Sequence, residues 1–172
     1  RDIVFIGLFG MNNNKKWKYD KYFQILPSGP DPAVDFSRAW FDTVMQLKPK
    51  PKSIAFVAAD AEFARNLKEG AVVNAKRLGL KITYNKNYKP GTPDFTPIIR
   101  AVNATNPDVF YVASYPAGSA GMTRAISEVG SKVRAFGGGM VGLQFAGIMK
   151  GLGPKLNGVL NYDFYVPEPN MN

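Results

Sequence analysis

The sequence predicts an α/β fold in which a parallel sheet is flanked by helices on both faces. Three observations carry that prediction. Strand-like apolar runs alternate with segments of helical periodicity along the chain. The runs at residues 3–8 (IVFIGL), 53–59 (SIAFVAA) and 108–114 (DVFYVAS) are nearly continuous rather than alternating, as expected of strands covered on both sides. Three of the helical segments open at an Asp and close at a glycine or ahead of a proline.

The first strand, residues 3–8, ends at Gly10 and is followed by a polar, basic stretch, residues 12–21. A short second strand at residues 22–26 is stopped by Pro27-Ser28-Gly29-Pro30. Asp31-Pro32 reads as a helix start, an acceptor at the cap and proline in the first turn. Phe36, Trp40, Val44 and Leu47 then recur at helical spacing and mark a buried stripe, which Lys48-Pro49-Lys50-Pro51-Lys52 terminates. After the strand at 53–59, Asp60 is expected to cap a long helix with Phe63, Leu67, Ala71, Ala75 and Leu78 on one face. Gly79 closes that helix.

Residues 80–84 form a strand, and Lys89-Pro90-Gly91-Thr92-Pro93 leads to Asp94, the expected cap of a helix carrying Ile98, Ile99 and Val102. Beyond Asn106-Pro107 come a strand at 108–114, a helix at 119–129 and a strand at 133–136. The glycine cluster Gly137-Gly138-Gly139 follows as a turn, then a short helical piece around 143–149 and a last strand at 159–166. No repeat is visible at a period of roughly 20–50 residues.

Composition narrows the chemistry. The 172 residues include 22 Lys+Arg, 13 Asp+Glu, no Cys and no His, for a net charge of +9. Without Cys there is no disulfide, thiol nucleophile or zinc ribbon, and without His no Ser-His or Cys-His constellation. No cofactor and no metal is expected. No apolar run reaches the roughly 18–20 residues that cross a bilayer as a helix. The chain begins at Arg1 with no signal-peptide pattern behind it, so it reads as processed, excised or a fragment.

Several motifs have a functional and a plain reading. Gly137, Gly139 and Gly142 satisfy G-x-G-x-x-G, with Asp163 about 20 residues on, the spacing of a dinucleotide fingerprint. Against it stand the polar preceding strand, the glycine-interrupted helix that follows, and the nine residues left after Asp163. Lys15-Lys16-Trp17-Lys18-Tyr19 with Lys21-Tyr22-Phe23 interleaves cations and aromatics as a single-strand nucleic-acid surface would. No second basic cluster supports it, and no nucleic-acid partner is expected. Asp60 and Glu62 read as helix N-terminal acids.

Position singles out three places. Phe63 and Tyr115 each follow the carboxyl end of a predicted strand, and Gly139-Met140 lies just past a third. In open α/β sheets ligands bind outside those ends. By pattern Phe63 leans to the core and Tyr115, beside Pro116 and Gly118, to a pocket, with the other role open for each.

Residues 52–64 (KSIAFVAADAEFA) resemble the type I periplasmic solute-binding proteins of branched-chain amino acid ABC importers, the leucine/isoleucine/valine-binding family. Gly91-Thr92-Pro93-Asp94-Phe95-Thr96-Pro97, Asn106-Pro107-Asp108 leading into Tyr111-Val112-Ala113-Ser114-Tyr115-Pro116, and Phe136-Gly137-Gly138-Gly139-Met140-Val141-Gly142 extend the match from about Tyr19 to Pro167. The resemblance implies one lobe of a two-lobed clamshell. Residues 1–21 would end a first-lobe strand and cross over, 22–166 would form the second lobe, and 167–172 a hinge segment.

It further implies a non-catalytic protein, periplasmic or extracellular and membrane-tethered. Its partners would be a small solute and a membrane permease, and the lobe surface left open would let the fragment self-associate. Phe63, Tyr115, Gly139 and Met140 fall at the family's second-lobe ligand contacts. At Gly139 amino-acid binders carry a carboxylate for the ligand's ammonium group. Its absence points to an aromatic or aliphatic acid without an α-amino group. Two alternatives remain: a nucleotide-binding or enzymatic domain using the 137–142 turn, and a regulatory ligand-binding domain of the same fold.

Overall fold

The structure, a computed structural model, describes residues 2–7, 17–24, 26 and 29–163. Among them the chain builds two parallel sheets. The small one pairs β1 (Phe5–Gly7) with β2 (Tyr22–Gln24), Phe5 beside Tyr22. The main one has the order β4-β3-β5-β6-β7. Its strands are β3 (Ser53–Ala59), β4 (Lys81–Tyr88), β5 (Val109–Ser114), β6 (Phe136–Met140) and β7 (Val159–Leu160). All of its pairings are parallel.

The helices are α1 (Pro32–Val44), α2 (Glu62–Arg77), α3 (Thr96–Ala104), α4 (Pro116–Val129) and α5 (Ala146–Leu152), the last running into a 3-10 turn at Gly153–Leu156. The chain steps from β3 outward to β4, then crosses back to β5 and continues the other way. Because crossovers are right-handed, that reversal puts α2 on one face and α3, α4 and α5 on the other. The carboxyl ends of β3 and β5 therefore diverge at a topological switch point.

The central strands are apolar on both faces because both are covered. Ile54 to Ala59 and Val109 to Ser114 are buried throughout. On the α1/α2 face, Tyr111 is enclosed by Trp40 (5.2 Å, edge-on), Phe41 (6.3 Å, stacked) and Phe56 (5.9 Å). The α1–α2 contact is close because Gly70 has no side chain to strike the Ala33 carbonyl. Buried Asn74 donates to the Val34 carbonyl (2.8 Å) and to Ser37 Oγ (2.9 Å), so the seam is hydrogen-bonded as well as packed. At the amino end of the sheet the Asp108 carboxylate accepts from Lys52 N (2.7 Å), Ser53 N (3.0 Å) and Ser53 Oγ (3.0 Å), locking β3 and β5 in register.

Several expectations shift. The strand at 53–59 and the buried face of α2 stand as read; Phe63, Leu67, Ala71 and Ala75 are buried and Leu78 is partly so. Gly79 ends α2 at φ +71°. The α1 stripe keeps the expected Trp40 and Val44, with Phe36 and Leu47 partly buried beside them, and adds Ala33, Ser37 and Phe41. Neither Asp31 nor Asp60 caps through its side chain: the Asp31 N–H donates to Asp35 (3.0 Å), and Asp60 pairs with Arg65 (3.0 Å). Asp94 does accept from the Thr96 N–H (2.8 Å).

The strand expected at 80–84 runs to Tyr88, an edge strand whose polar residues face water. The helix expected at 119–129 begins already at Pro116, and the helical piece expected at 143–149 lies at Ala146–Leu152.

The largest correction concerns the glycines. The strand expected at 133–136 lies at Phe136–Met140, so Gly137, Gly138 and Gly139 are strand residues, not a turn. Bare backbone is required there: a Cβ on Gly138 would run into the Tyr111 ring and one on Gly137 into the Leu160 carbonyl. The G-x-G-x-x-G spacing thus forms no strand-to-helix turn. The last strand ends at Leu160, short of the expected 159–166, since residues 161–163 leave the ladder; residues 164–166, the segment 167–172 and parts of the strands expected at 3–8 and 22–26 lie outside the described residues. Around β1, Ile3, Val4, Phe5 and Ile6 are all exposed.

Candidate functional site

The switch point between β3 and β5 gathers aromatic rings. β3 ends at Ala59, and α2 begins three residues later, which puts Phe63 in the first helical turn above the strand end. β5 ends at Ser114, and Tyr115 precedes α4 directly in extended conformation. The two rings meet at 6.5 Å between centroids. Phe36 of α1 packs edge-on against Phe63 (6.2 Å), and Tyr162 packs edge-on against Phe36 (5.0 Å). Four aromatic side chains therefore run in a row across the carboxyl end of the sheet, from the exit of β7 to the start of α4.

Their exposures differ in a way that suits a binding ledge. Phe63 is 6% exposed and supports the row from beneath, whereas Tyr115 is 38% exposed and offers a face to solvent. Burial pushes the Tyr162 phenol up to about 12, so it stays neutral at physiological pH.

The backbone around the row is tied down. Ser114 and Ser119, both buried, share a 2.7 Å hydroxyl hydrogen bond, and Val141 N–H donates to the Ser114 carbonyl (3.0 Å). Asn161 extends the β6–β7 ladder with its side chain, accepting from Met140 N–H (3.0 Å) and donating to the Met140 carbonyl (2.8 Å). Such a frame holds the strand ends in place.

Of the four residues singled out by sequence, the structure brings Phe63 and Tyr115 into contact. Gly139 and Met140 lie one strand over, buried inside β6: a Cβ on Gly139 would stand 2.9 Å from Leu67 Cδ1, and Met140 has no exposed surface. Sequence reasoning missed Phe36 and Tyr162 as members of the row. Phe36 was absorbed into a helical core stripe, and Tyr162 carries no local signal beyond following the last strand. Among the described residues no cluster of His, Cys, Asp or Glu could hold a metal ion, and no helix is long and apolar enough to cross a membrane.

The profile of the periplasmic binding protein family matches residues 1–172, the whole chain. The chain belongs to the periplasmic binding protein family. Solved structures agree on its fold. A leucine-, isoleucine-, valine-, threonine- and alanine-binding protein from Brucella ovis, in its closed conformation, superposes with a TM-score of 0.71 at 16% identity. That superposition covers 89% of this chain and 38% of that protein. A leucine-binding protein from Thermotoga maritima gives 0.66 at 17% identity, covering 80% and 39%. A fatty acid ABC transporter substrate-binding protein from Thermomonospora curvata gives 0.61 at 16%, covering 78% and 35%. This periplasmic binding protein chain thus spans less than half the length of those relatives. No curated protein matches it in sequence. At these identities the likeness shows the fold of one type I lobe, and the solutes named belong to those other proteins.

Proposed function

We propose that this lobe is one jaw of the solute-binding component of an ABC importer. It works without catalysis in the periplasm, or tethered outside the cell, and passes a small carboxylate or amino acid-like solute to a membrane permease. The observation that carries the proposal is the Phe63–Tyr115 pair at the switch point, set on a hydrogen-bonded frame. An apolar ligand body laid on the exposed Tyr115 face leaves water as the opposing jaw closes. Gly139 and Met140 act beneath, as the floor that sets the height of the 141–144 turn.

The solute class follows from charge. Gly139 offers no carboxylate, and its neighbours Leu67 and Ala113 are apolar. An ammonium group enclosed over the Phe63–Tyr115 pair with no carboxylate supplied from the Gly139 position costs several kcal/mol, whereas a ligand lacking it avoids that cost. Aromatic or aliphatic acids are therefore favoured over α-amino acids. A thermal-shift screen of the intact protein against amino acids, aromatic acids and fatty acids tests this. Acids are expected to raise Tm and Phe63→Ala to weaken the response; a response to amino acids alone refutes the assignment.

A further inference from the structure

Tyr115 also lines a second concavity, in which Phe63 takes no part. It is walled by the 89–95 loop, the first two turns of α4 and the carboxyl ends of β3 and β4, and its volume is about 390 Å³. That is within the roughly 300–1,000 Å³ of small-molecule sites. Its walls are the rings of Tyr88, Phe95 and Tyr115 together with Ala59, and its one charged lining group is Arg124.

Two features make this more than a dent. The α4 wall is bare: Gly118 and Gly121, one turn apart, have no side chains, and a Cβ there would meet the Tyr88 hydroxyl or Phe95 Cε2 (2.6 Å for the latter). Each glycine costs about 1 kcal/mol of helix propensity relative to alanine, and together they let the rings stand back against the helix. Arg124, one turn further along, makes no ion pair or hydrogen bond among the described residues. Arg124 is exposed, and no acidic side chain among the described residues lines the cavity. Asp94, in the same loop, points its carboxylate to the Thr96 N–H instead. Burial pushes the Tyr88 phenol up to about 12, so that side chain stays neutral.

We propose that this cavity is a second binding site, for a small monocarboxylate with an apolar body, whose carboxylate pairs with Arg124 while its body packs on Tyr88, Phe95 and Tyr115. It is separate from the cleft because Phe63 is not part of it. Tyr115 is the shared wall, so occupancy on one side fixes the ring that the other side uses.

The test is calorimetric titration of the intact protein with hexanoate and with neutral hexanamide. Arg124→Gln is expected to weaken hexanoate about tenfold, the value of one charge-assisted contact, and to leave hexanamide unchanged. Ala117→Trp, from the exposed start of α4, is expected to block both, and Thr92→Trp from the facing loop is the second block should the first not fold. Each titration is repeated with Phe63→Ala in place, which disables the cleft's own affinity for acids; hexanoate binding is expected to persist there, and the effects of Arg124→Gln and of the two blocks are read in that background. No binding of hexanoate at millimolar concentration overturns the proposal. So does equal binding to Arg124→Gln and wild type, or binding that survives both blocks. Loss in Phe63→Ala alone assigns the carboxylate to the cleft and overturns the second site without touching the first.

Discussion

Replacing Gly138 by alanine tests whether the glycine run serves packing. Gly138 sits at φ +104°, and its Cβ would stand 2.6 Å from Cδ2 and 3.0 Å from Cζ of Tyr111. That ring cannot retreat, because Trp40, Phe41 and Phe56 enclose it and it has no exposed surface. An L side chain at positive φ costs about 1–2 kcal/mol, and forcing an extra methyl into a full core about 1–3 kcal/mol. The sum is about 2–5 kcal/mol. With a urea m-value of about 1–3 kcal/mol/M, the midpoint should fall by roughly 0.7 M to several M.

Urea unfolding followed by Trp40 fluorescence reads this directly. Gly147→Ala, where a Cβ meets nothing within 4 Å, is the control and should be neutral or stabilising by up to about 1 kcal/mol. In a Tyr111→Ala background, Gly138→Ala should cost only its backbone share, giving a coupling of about 1–3 kcal/mol. A Gly138→Ala protein within about 0.5 kcal/mol of wild type, the range of an ordinary surface change, refutes the packing role.

Four further outcomes are expected. Tyr111 buries a hydroxyl with no hydrogen-bond partner among the described residues, so Tyr111→Phe should stabilise the protein by about 1 kcal/mol, seen as a higher Tm; a loss of that size would mean the hydroxyl is bonded. Burial would raise the Asp108 carboxyl, but hydrogen bonds from Lys52 and Ser53 outweigh it and hold its pKa below the ordinary value. Its contribution is therefore complete above the unfolded carboxylate pKa of about 3.9 and fades as pH falls through the lower folded value. Asp108→Asn should flatten the acid side of the stability–pH curve, and an unchanged slope would exclude Asp108 as its source. Asn161→Ala removes both side-chain bonds to Met140, so amide exchange at Met140 should quicken while the centre of β5 stays protected; unchanged exchange would show the bonds are dispensable. Ile3, Val4, Phe5 and Ile6 are 59–65% exposed on a two-stranded sheet, so this chain by itself should self-associate, and a clean monomer by sedimentation at high concentration would count against that.

The sequence by itself determined the α/β class, the order of its elements and the buried stripe of α2. Those depend on local periodicity and on punctuation such as Gly79, which act over a few neighbouring residues. It also placed Phe63 and Tyr115, because a residue just past a parallel strand must lie at the carboxyl edge of the sheet. Only the tertiary structure decided what lies beside what. Three glycines in a row read as a turn, because glycine has no strand preference; Tyr111, 27 residues from Gly138, and Leu160, 23 residues from Gly137, make them a strand by needing their missing side chains. The row joining Phe36 and Tyr162, 126 residues apart, and the cavity beside Arg124 exist only once the 2-1-3-4-5 pattern of the main sheet brings distant loops to one edge. Short-range pattern settles which element a residue belongs to, and long-range packing settles which side chains face one another.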